Sequence, residues 1–252
     1  MSPLPDIAHW WAIEAMIASY NHVYKVAYGT SYETLDVVAV SNYGSVPIAS
    51  FQLEFLALDD DPAIVHQAVR GYETGGRKFV LDVFHESPAA LRLKAQYYDL
   101  GYDFIRTGPI LGIELPIPAR GDISFVKKIE TTEQLEFANR SLYSEEPIPE
   151  ETLGDPYIQD FYAEMDGQAV GWAQLVTIYP SVGYVNQLFT LSNYRNRRIG
   201  SALMESIHFE CGRLNLGQMV LISSEAAMGL YRRLGYRALA YFTAFRPRET
   251  EG

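Results

Sequence analysis

The sequence predicts an α+β protein in which a mixed, mostly antiparallel sheet is flanked by helices. In the second half of the chain, alternating strand patterns come first, and strand, helix, strand, helix and strand patterns follow. The first half ends in the same order of patterns. This repetition predicts two tandem copies of one fold.

The second half has the more regular pattern. It follows a segment at 115–122 that contains two prolines and a glycine and is typical of a linker. We therefore predict an N-terminal domain at 1–118 and a C-terminal domain at 122–252. Apolar periodicity and capping residues predict helices at 131–143, 199–214 and 225–234. Alternation and turn residues predict strands at 157–165, 169–179, 184–191, 218–223 and 236–245.

The first half is less regular, but its last elements resemble those of the second half. Helices are predicted at 7–20, 62–73 and 87–100, and strands at 34–40, 48–58, 78–84 and 102–114. Each half contains a helix that ends in Leu-Gly-Tyr, at Gly101 and at Gly235, and a strand follows each.

Composition limits the classes of function. The net charge is −11, and neither half has a positive excess, which argues against a nucleic-acid partner. No apolar stretch approaches the ~20 residues that span a bilayer, and the N-terminus lacks the pattern of a secretory signal. The single cysteine, Cys211, excludes an intramolecular disulfide and fits a reducing compartment. We expect a cytoplasmic protein, a monomer or a homodimer, without membrane or nucleic-acid partners.

One loop has the composition of an anion site. The strand that ends at Thr190 leads through Arg195, Arg197 and Arg198 into a helix that opens with Gly200 and Ser201. Backbone N–H groups at a helix N-terminus bind phosphate, and small residues allow its close approach. Three arginines within four residues add positive charge to an acidic chain. A solvated basic cap is the alternative interpretation of this loop.

The loop resembles the signature Arg/Gln-x-x-Gly-x-Gly/Ala of the GNAT superfamily of N-acetyltransferases. Arg195 and Gly200 match its first and last positions, whereas Arg198 replaces its first glycine. A second block, 224–236, keeps the family's Ala227, Leu230-Tyr231 and Leu234-Gly235-Tyr236 spacing but has Ser224 in place of asparagine. The resemblance covers the predicted C-terminal domain and implies the acyl-CoA N-acyltransferase fold.

The resemblance also implies an activity and a set of site residues. A primary amine would attack acetyl-CoA directly in a ternary complex, with no metal. Tyr231 matches the donor of a proton to the leaving thiolate, and Tyr184 stands where many relatives carry a glutamate base. The residues expected to bind the cofactor are Leu188, Phe189, Thr190, Arg195, Asn196, Arg197, Arg198, Ile199, Gly200, Ser201, Ser224 and Ala227.

Two parts of the chemistry stay open. A neutral tyrosine is a weak base at pH 7, so Asp160, Glu164 or water are alternatives to Tyr184. The acceptor is a small-molecule or peptide amine. The hypothesis that this amine is cationic rests on an acidic region of the sequence. The alternative is that this region is only a solvated loop. That region contains Glu145, Glu146, Glu150, Glu151 and Asp155.

The first half lacks this chemistry. In a tandem arrangement, the loop that corresponds to Arg195–Gly200 is 58–62, which carries three aspartates that repel a pyrophosphate. We therefore predict a degenerate N-terminal copy and one CoA site per chain. A non-catalytic, CoA-binding regulatory module is the competing function. A transferase that takes its donor from a charged RNA is disfavoured because such a donor needs a basic groove.

Overall fold

The computed structural model describes residues 8–44, 46, 50–117, 121–142 and 147–248. Its helices, in chain order, are α1 (Trp10–Tyr28), α2 (Pro62–Gly71), α3 (Leu91–Asp99), α4 (Thr132–Ser141), α5 (Ile199–Arg213) and α6 (Met228–Leu234). Its strands are β1 (Ser31–Thr34), β2 (Val38–Asn42), β3 (Leu53–Ala57), β4 (Phe79–His85), β5 (Tyr102–Glu114), β6 (Val126–Lys128), β7 (Ile158–Met165), β8 (Gln168–Val176), β9 (Val182–Thr190), β10 (Gln218–Ile222) and β11 (Arg237–Pro247).

The chain folds into two compact units. The N-terminal unit contains residues 28–110, the residues up to Ile13 and the residues from Ala238 onward. The C-terminal unit contains Glu14–Ala27 and Leu111–Arg237. Helix α1 and strand β5 therefore contribute residues to both units.

The N-terminal unit is a sheet with two helices on one face. Strands β1, β2 and β3 are antiparallel neighbours, β3 pairs with β4 in parallel, and β11 pairs with β4 in antiparallel orientation. The parallel pair requires a crossover, which α2 supplies. Asp61 caps α2, since its side chain accepts a hydrogen bond from the Ala63 N–H, and Pro62 occupies the first turn. Phe55, Tyr97 and Phe245 are among the buried side chains of its core.

The C-terminal unit has the same alternation on a larger scale. Strands β6 to β9 form an antiparallel meander, and β9 pairs with β10 in parallel, with α5 as the crossover. One face of this sheet packs on α5 through a core that includes Ile199, Leu203 and Cys211. The other face packs on α4, where Leu135 and Ala138 lie in a cluster with Trp172.

The compact units and the predicted domains differ in two segments. Most of α1 lies in the C-terminal unit because Glu14 accepts a hydrogen bond from Tyr179 and His22 pairs with Asp155 at 3.0 Å. β11 lies in the N-terminal unit because it hydrogen-bonds β4. Residues 118–120 of the predicted linker lie outside the described residues. The domain boundaries at 118 and 122 stay a prediction.

The predicted α+β class, with helices flanking a mixed sheet, is confirmed. All helices and strands predicted in the second half occur, and the 102–114 strand has the predicted bounds. The larger differences are these. The first helix runs on to Tyr28, the predicted strand 34–40 is divided by a turn between β1 and β2, and the three-residue strand β6 was not predicted. The predicted strand 48–58 is observed as Leu53–Ala57, with 48–49 outside the described residues, and the predicted helix 87–100 begins at Leu91.

Candidate active site

The centre of the site is a divergence between two parallel strands. β9 and β10 pair only from Val182 to Val185, opposite Gln218 to Leu221. Beyond Val185, β9 continues to Thr190 and pairs with β8 alone across the described part of the chain. The other edge of this stretch therefore presents backbone N–H and C=O groups to a cleft. Leu188, Phe189 and Thr190, predicted to bind the cofactor, lie on it.

A β-bulge precedes the divergence. Gln174 lies opposite Gln187 and Leu175 opposite Val185, so Asn186 is an extra residue in β9. A bulge bends its strand and increases the local twist, which separates β9 from β10. The Asn186 side chain is half-buried, and its Nδ2 donates to Gln174 Oε1 at 2.8 Å.

The loop that follows β9 ends in a helix N-terminus. After a short 3₁₀ turn at Ser192–Tyr194, Arg195 Nε donates to the carbonyl oxygen of Thr190 at 3.3 Å. The first helical hydrogen bond of α5 runs from the Ala202 N–H to the Arg198 carbonyl. The N–H groups of Ile199, Gly200 and Ser201 precede it, so they have no acceptor within the helix and are available to an anion.

The departure of Arg198 from the family signature has a structural meaning. Arg198 has φ 64° and Asn196 has φ 63°, so both residues lie in the left-handed region. Glycine adopts this conformation without steric cost, which explains why a glycine suits position 198. An arginine there adds charge at the expense of backbone strain.

We expect Arg198→Gly to raise the free energy of unfolding by about 1 kcal/mol, because it removes the left-handed strain. The same change should weaken CoA binding, since a guanidinium at the helix N-terminus is lost. Arg198→Gln is the matched control, because it loses the charge and keeps the strain. Chemical denaturation and calorimetric CoA titration measure the two effects; an unfolding free energy that is equal in the two variants contradicts the expectation.

Gly200 lies at a tightly packed position at the start of α5. A β-carbon there would lie 3.3 Å from Leu230 Cδ2 of α6 and 4.0 Å from Thr190 Oγ1. The absence of a side chain thus lets α5 approach α6 and the end of β9. The predicted role of Gly200 in the close approach of a phosphate stays a prediction.

A cavity of about 660 Å³ adjoins the loop and contains a residue that sequence reasoning missed. Its lining includes Asn196, Arg197, Arg198, Ser201 and Arg233. Arg233 of α6 thus joins two loop arginines around one space, and all three side chains are exposed. Arg233 is far from the loop along the chain, so the sequence does not predict that they lie close together. The one indication in the sequence is that Arg233 follows Tyr231 by two residues.

Tyr231 is a buried phenol on α6. Its side chain is 4% exposed and stacks edge-on against Tyr236, with ring centroids 5.6 Å apart. Burial raises the pKa of Tyr231 to about 12, so its hydroxyl is protonated at neutral pH. The hydroxyl group of Tyr236 is engaged with His208 Nε2 at 2.9 Å.

Tyr184 lies in the part of β9 that pairs on both sides, opposite Val176 of β8 and Val220 of β10. Its side chain is 3% exposed. The stretch of β9 that pairs with β10 ends one residue later, at Val185. Its role as the position of a base stays a prediction.

The two alternative carboxylates differ sharply in environment. Glu164 is partly exposed and binds Lys127 Nζ at 2.7 Å. Asp160 is buried and accepts hydrogen bonds from Trp172 Nε1 at 2.8 Å and Gln174 Nε2 at 3.0 Å. Burial raises the pKa of Asp160 to about 6, although these hydrogen bonds oppose the shift. Gln174 thus connects Asp160 to Asn186 at the bulge, and Asp160 is the carboxylate linked to the cleft.

The remaining predicted residues are placed as follows. Ser224 is exposed and begins the 3₁₀ turn Glu225–Ala227 before α6. Ala227 packs against the core cluster of the unit. Cys211 is fully buried in the core cluster of the unit, and burial raises the pKa of its thiol to about 12. The described residues include no group of three His, Cys, Asp or Glu side chains that could hold a metal.

The acidic region is only partly available to an acceptor. Glu150 and Glu151 are exposed in a 3₁₀ turn. Asp155 is half-buried and paired with His22 at 3.0 Å. Glu145 and Glu146 lie outside the described residues. Among the described carboxylates of this region, the free negative charge is that of Glu150 and Glu151.

In the N-terminal unit, carboxylates occupy the backbone donors of the corresponding loop. Asp59 Oδ1 accepts from the Asp61 N–H at 2.8 Å, and Asp61 Oδ1 accepts from the Ala63 N–H at 2.8 Å. The Ala63 N–H at the start of α2 is therefore engaged by a negative group, and Pro62 offers no N–H donor.

We expect one molecule of CoA per chain, because the α5 N-terminus combines N–H donors that have no acceptor within the helix with several arginines and a neighbouring strand edge. Isothermal titration with CoA measures the stoichiometry directly. A second equivalent that binds with similar affinity contradicts this expectation.

The comparisons with known proteins place the fold and one domain. The splayed β9–β10 pair and the α5 crossover belong to a GNAT-like α+β fold with a mixed sheet flanked by helices. Residues 125–236 match the model of the acetyltransferase (GNAT) family.

Solved structures agree with this fold. A GCN5-related N-acetyltransferase from Kribbella flavida is 18% identical with a TM-score of 0.67, and the match covers 94% of this chain and 96% of that chain. A GCN5-related N-acetyltransferase from Sphaerobacter thermophilus is 17% identical with a TM-score of 0.52, over 93% and 91% of the two chains. No curated protein matches the sequence. No helix in the described part of the chain is both long and apolar enough to cross a membrane.

Proposed function

We propose that the C-terminal unit transfers an acetyl group from acetyl-CoA to a primary amine. The observation that carries this proposal is the cleft between β9 and β10, which opens beside the N-terminus of α5 in a GNAT family domain. The cleft offers a strand edge for the amides of the pantetheine arm. The helix N-terminus and the arginines next to it offer donors for the pyrophosphate.

In this reaction the acceptor nitrogen attacks the thioester carbonyl, the C–S bond breaks, and CoA leaves as a thiolate. A backbone N–H on the free edge of β9 stabilises the oxyanion that forms. The Tyr231 hydroxyl donates a hydrogen bond to the leaving sulfur. A thiol titrates near ~8.5 in water, so full proton transfer from a phenol of pKa about 12 is uphill. Tyr231 therefore acts chiefly by hydrogen bonding to the developing thiolate.

The attacking amine must lose a proton. Tyr184 and Glu164 are poorly suited to accept it, because a neutral tyrosine is a weak base at pH 7 and Glu164 is held by Lys127. We assign this proton first to a water molecule in the cleft. Asp160, which lies behind Gln174 and Asn186, supplies negative charge that stabilises the protonated water beside the bulge.

The order of elements in the N-terminal unit supports the proposal that the two halves of the chain arose as tandem copies of one fold. The segment β3-α2-β4-α3-β5 has the same order of elements as β9-α5-β10-α6-β11, and the strand pair flanking α2, like that flanking α5, is parallel. With its loop donors engaged by Asp59 and Asp61, the N-terminal copy has lost the cofactor site.

The experiment that tests the function is a screen of primary amines with acetyl-CoA, in which release of free CoA is followed with a thiol reagent. Because Cys211, the one cysteine, is buried, the protein itself contributes little background. Acceptor-dependent thiol release, with the acetylated amine found by mass spectrometry, supports the proposal. CoA binding without release by any amine favours the competing function, a regulatory CoA-binding module.

The exposed carboxylates at Glu150 and Glu151 favour a cationic acceptor such as a polyamine or a lysine side chain. We expect Glu150→Gln/Glu151→Gln to raise the KM of a cationic acceptor about threefold to tenfold, as expected for partly exposed charge pairs. The KM for acetyl-CoA should stay unchanged. Glu136→Gln, an exposed change on α4, is the control. An acceptor KM that does not move shows that the region is only a solvated loop.

A further inference from the structure

The N-terminal unit contains a pair of adjoining cavities that the proposed reaction does not use. The larger, of about 790 Å³, lies between α2, the end of α3 and the end of β11. The smaller, of about 490 Å³, shares Phe79, Pro247 and Arg248 with it. Volumes in this range suit small organic ligands.

Their lining is positively charged, although the chain as a whole is acidic. Arg70 and Arg248 border the larger cavity, and Lys78 and Arg246 border the smaller one. No acidic side chain is among the described residues that line either cavity. In a protein of net charge −11, this concentration of cations provides a local attraction for anions.

The larger cavity also has an apolar and hydrogen-bonding lining. Val69, Phe79 and Leu100 supply apolar surface. The buried Tyr102 hydroxyl lies 3.2 Å from His66 Nδ1, and the two rings pack edge to face. Apolar walls with a few convergent polar groups are the usual composition of a ligand pocket.

The two arginines of the larger cavity are held differently. Arg248 is fixed in place, since its Nη2 donates to the Tyr98 carbonyl at 3.0 Å and its guanidinium lies 4.0 Å from the centroid of the Tyr98 ring. Asp103 balances part of its charge at 3.4 Å. Arg70 is exposed on the last turn of α2 and has no ion pair among the described residues. It lies close enough to Tyr102 for its charge to lower that phenol's pKa, while burial raises it to about 12.

We propose that the N-terminal unit binds an organic anion with an apolar body, either a carboxylate or a phosphate ester. Its charged group lies at Arg70 and Arg248, and its body lies over Phe79 and Leu100. The same side chains can recognise a carboxylate and a phosphate ester, because an arginine guanidinium forms a bidentate pair with either group. This site is separate from the acetyl-transfer chemistry and does not depend on it.

The test uses fluorine NMR on the full-length protein with saturating CoA present, so that the α5 loop is occupied. The probes are 4-(trifluoromethyl)benzoate and its neutral counterpart 4-(trifluoromethyl)benzyl alcohol. We expect the benzoate to bind and the alcohol to bind at least about tenfold more weakly, as expected when a charge-assisted hydrogen bond is lost. Phenyl phosphate as competitor distinguishes the two sources, since stronger displacement by it than by benzoate identifies a phosphate ester.

Variants locate the site. Arg70→Gln and Arg248→Gln should each weaken benzoate binding about tenfold. Arg92→Gln, an exposed change on α3 that lines neither cavity, should leave binding unchanged. Arg70→Gln is the decisive variant, because Arg248 also holds local structure. Absence of benzoate binding at millimolar concentration, equal binding of the alcohol, or binding insensitive to Arg70→Gln overturns the proposal.

Discussion

Tyr231→Phe is expected to lower kcat for acetyl transfer by about 10²-fold or more, the usual effect of losing one hydrogen bond to a developing charge. The substitution removes only the hydroxyl and keeps the ring that packs against Tyr236. The KM for acetyl-CoA should therefore change little. Since the pKa of Tyr231 is about 12, the proposed activity of the wild-type protein should show no loss from phenol ionisation up to about pH 10.

Steady-state kinetics of thiol release measure both values for Tyr231→Phe. Tyr157→Phe is a matched control, because Tyr157 is an exposed tyrosine of the same unit. If kcat fell in both variants alike, or if Tyr231→Phe acted only through KM, the hydroxyl would have no role in the departure of the thiolate. Unfolding midpoints of the two variants separate a structural effect from a chemical one.

Gly171→Ala is expected to reduce the free energy of unfolding by about 2–3 kcal/mol through overpacking. A β-carbon at Gly171 would lie 2.9 Å from the carbonyl oxygen of Phe189 and 2.9 Å from Ile199 Cγ2. Contacts this short must be relieved, and the first of them is to backbone. Because Phe189 lies on the free edge of β9, the same displacement should weaken acetyl-CoA binding.

Gly212→Ala is the control for this substitution. Gly212 lies in α5, and a β-carbon there would meet nothing within 4 Å. Alanine in a helix is favoured over glycine, so we expect a gain of about 0.5 kcal/mol. Denaturant unfolding of the two variants should move in opposite directions. A Gly171→Ala protein as stable as wild type would show that α5 shifts at little cost.

Local pattern predicts the elements around the candidate site well. Strand β9, the arginine loop and α5 are consecutive, so their relation depends on short-range spacing and on small residues such as Gly200. The same holds for the α6 block that carries Tyr231. Where the elements around the candidate site are neighbours in sequence, local pattern is sufficient to predict them.

Relations across the chain are not visible in the same way. Arg233 joins Arg197 only through the packing of α6 beside α5, and Asp160 reaches Asn186 only through a cross-strand register shifted by a bulge. β6 has three residues, too few for an alternating pattern to be detected in the sequence. Sequence predicts that 236–245 is a strand but carries no information about its neighbour, β4.

Because β11 pairs with β4, the N-terminal unit can be completed only late in the synthesis of the chain. The N-terminal unit takes its strand beside β4 from residues 237–247, which leave the ribosome only after the whole C-terminal unit has been made. Until then the edge of β4 lacks this hydrogen-bonding partner and β5 has no β11 beside it. The unit that is synthesised first is therefore completed last, and its folding is governed by contacts of long sequence separation.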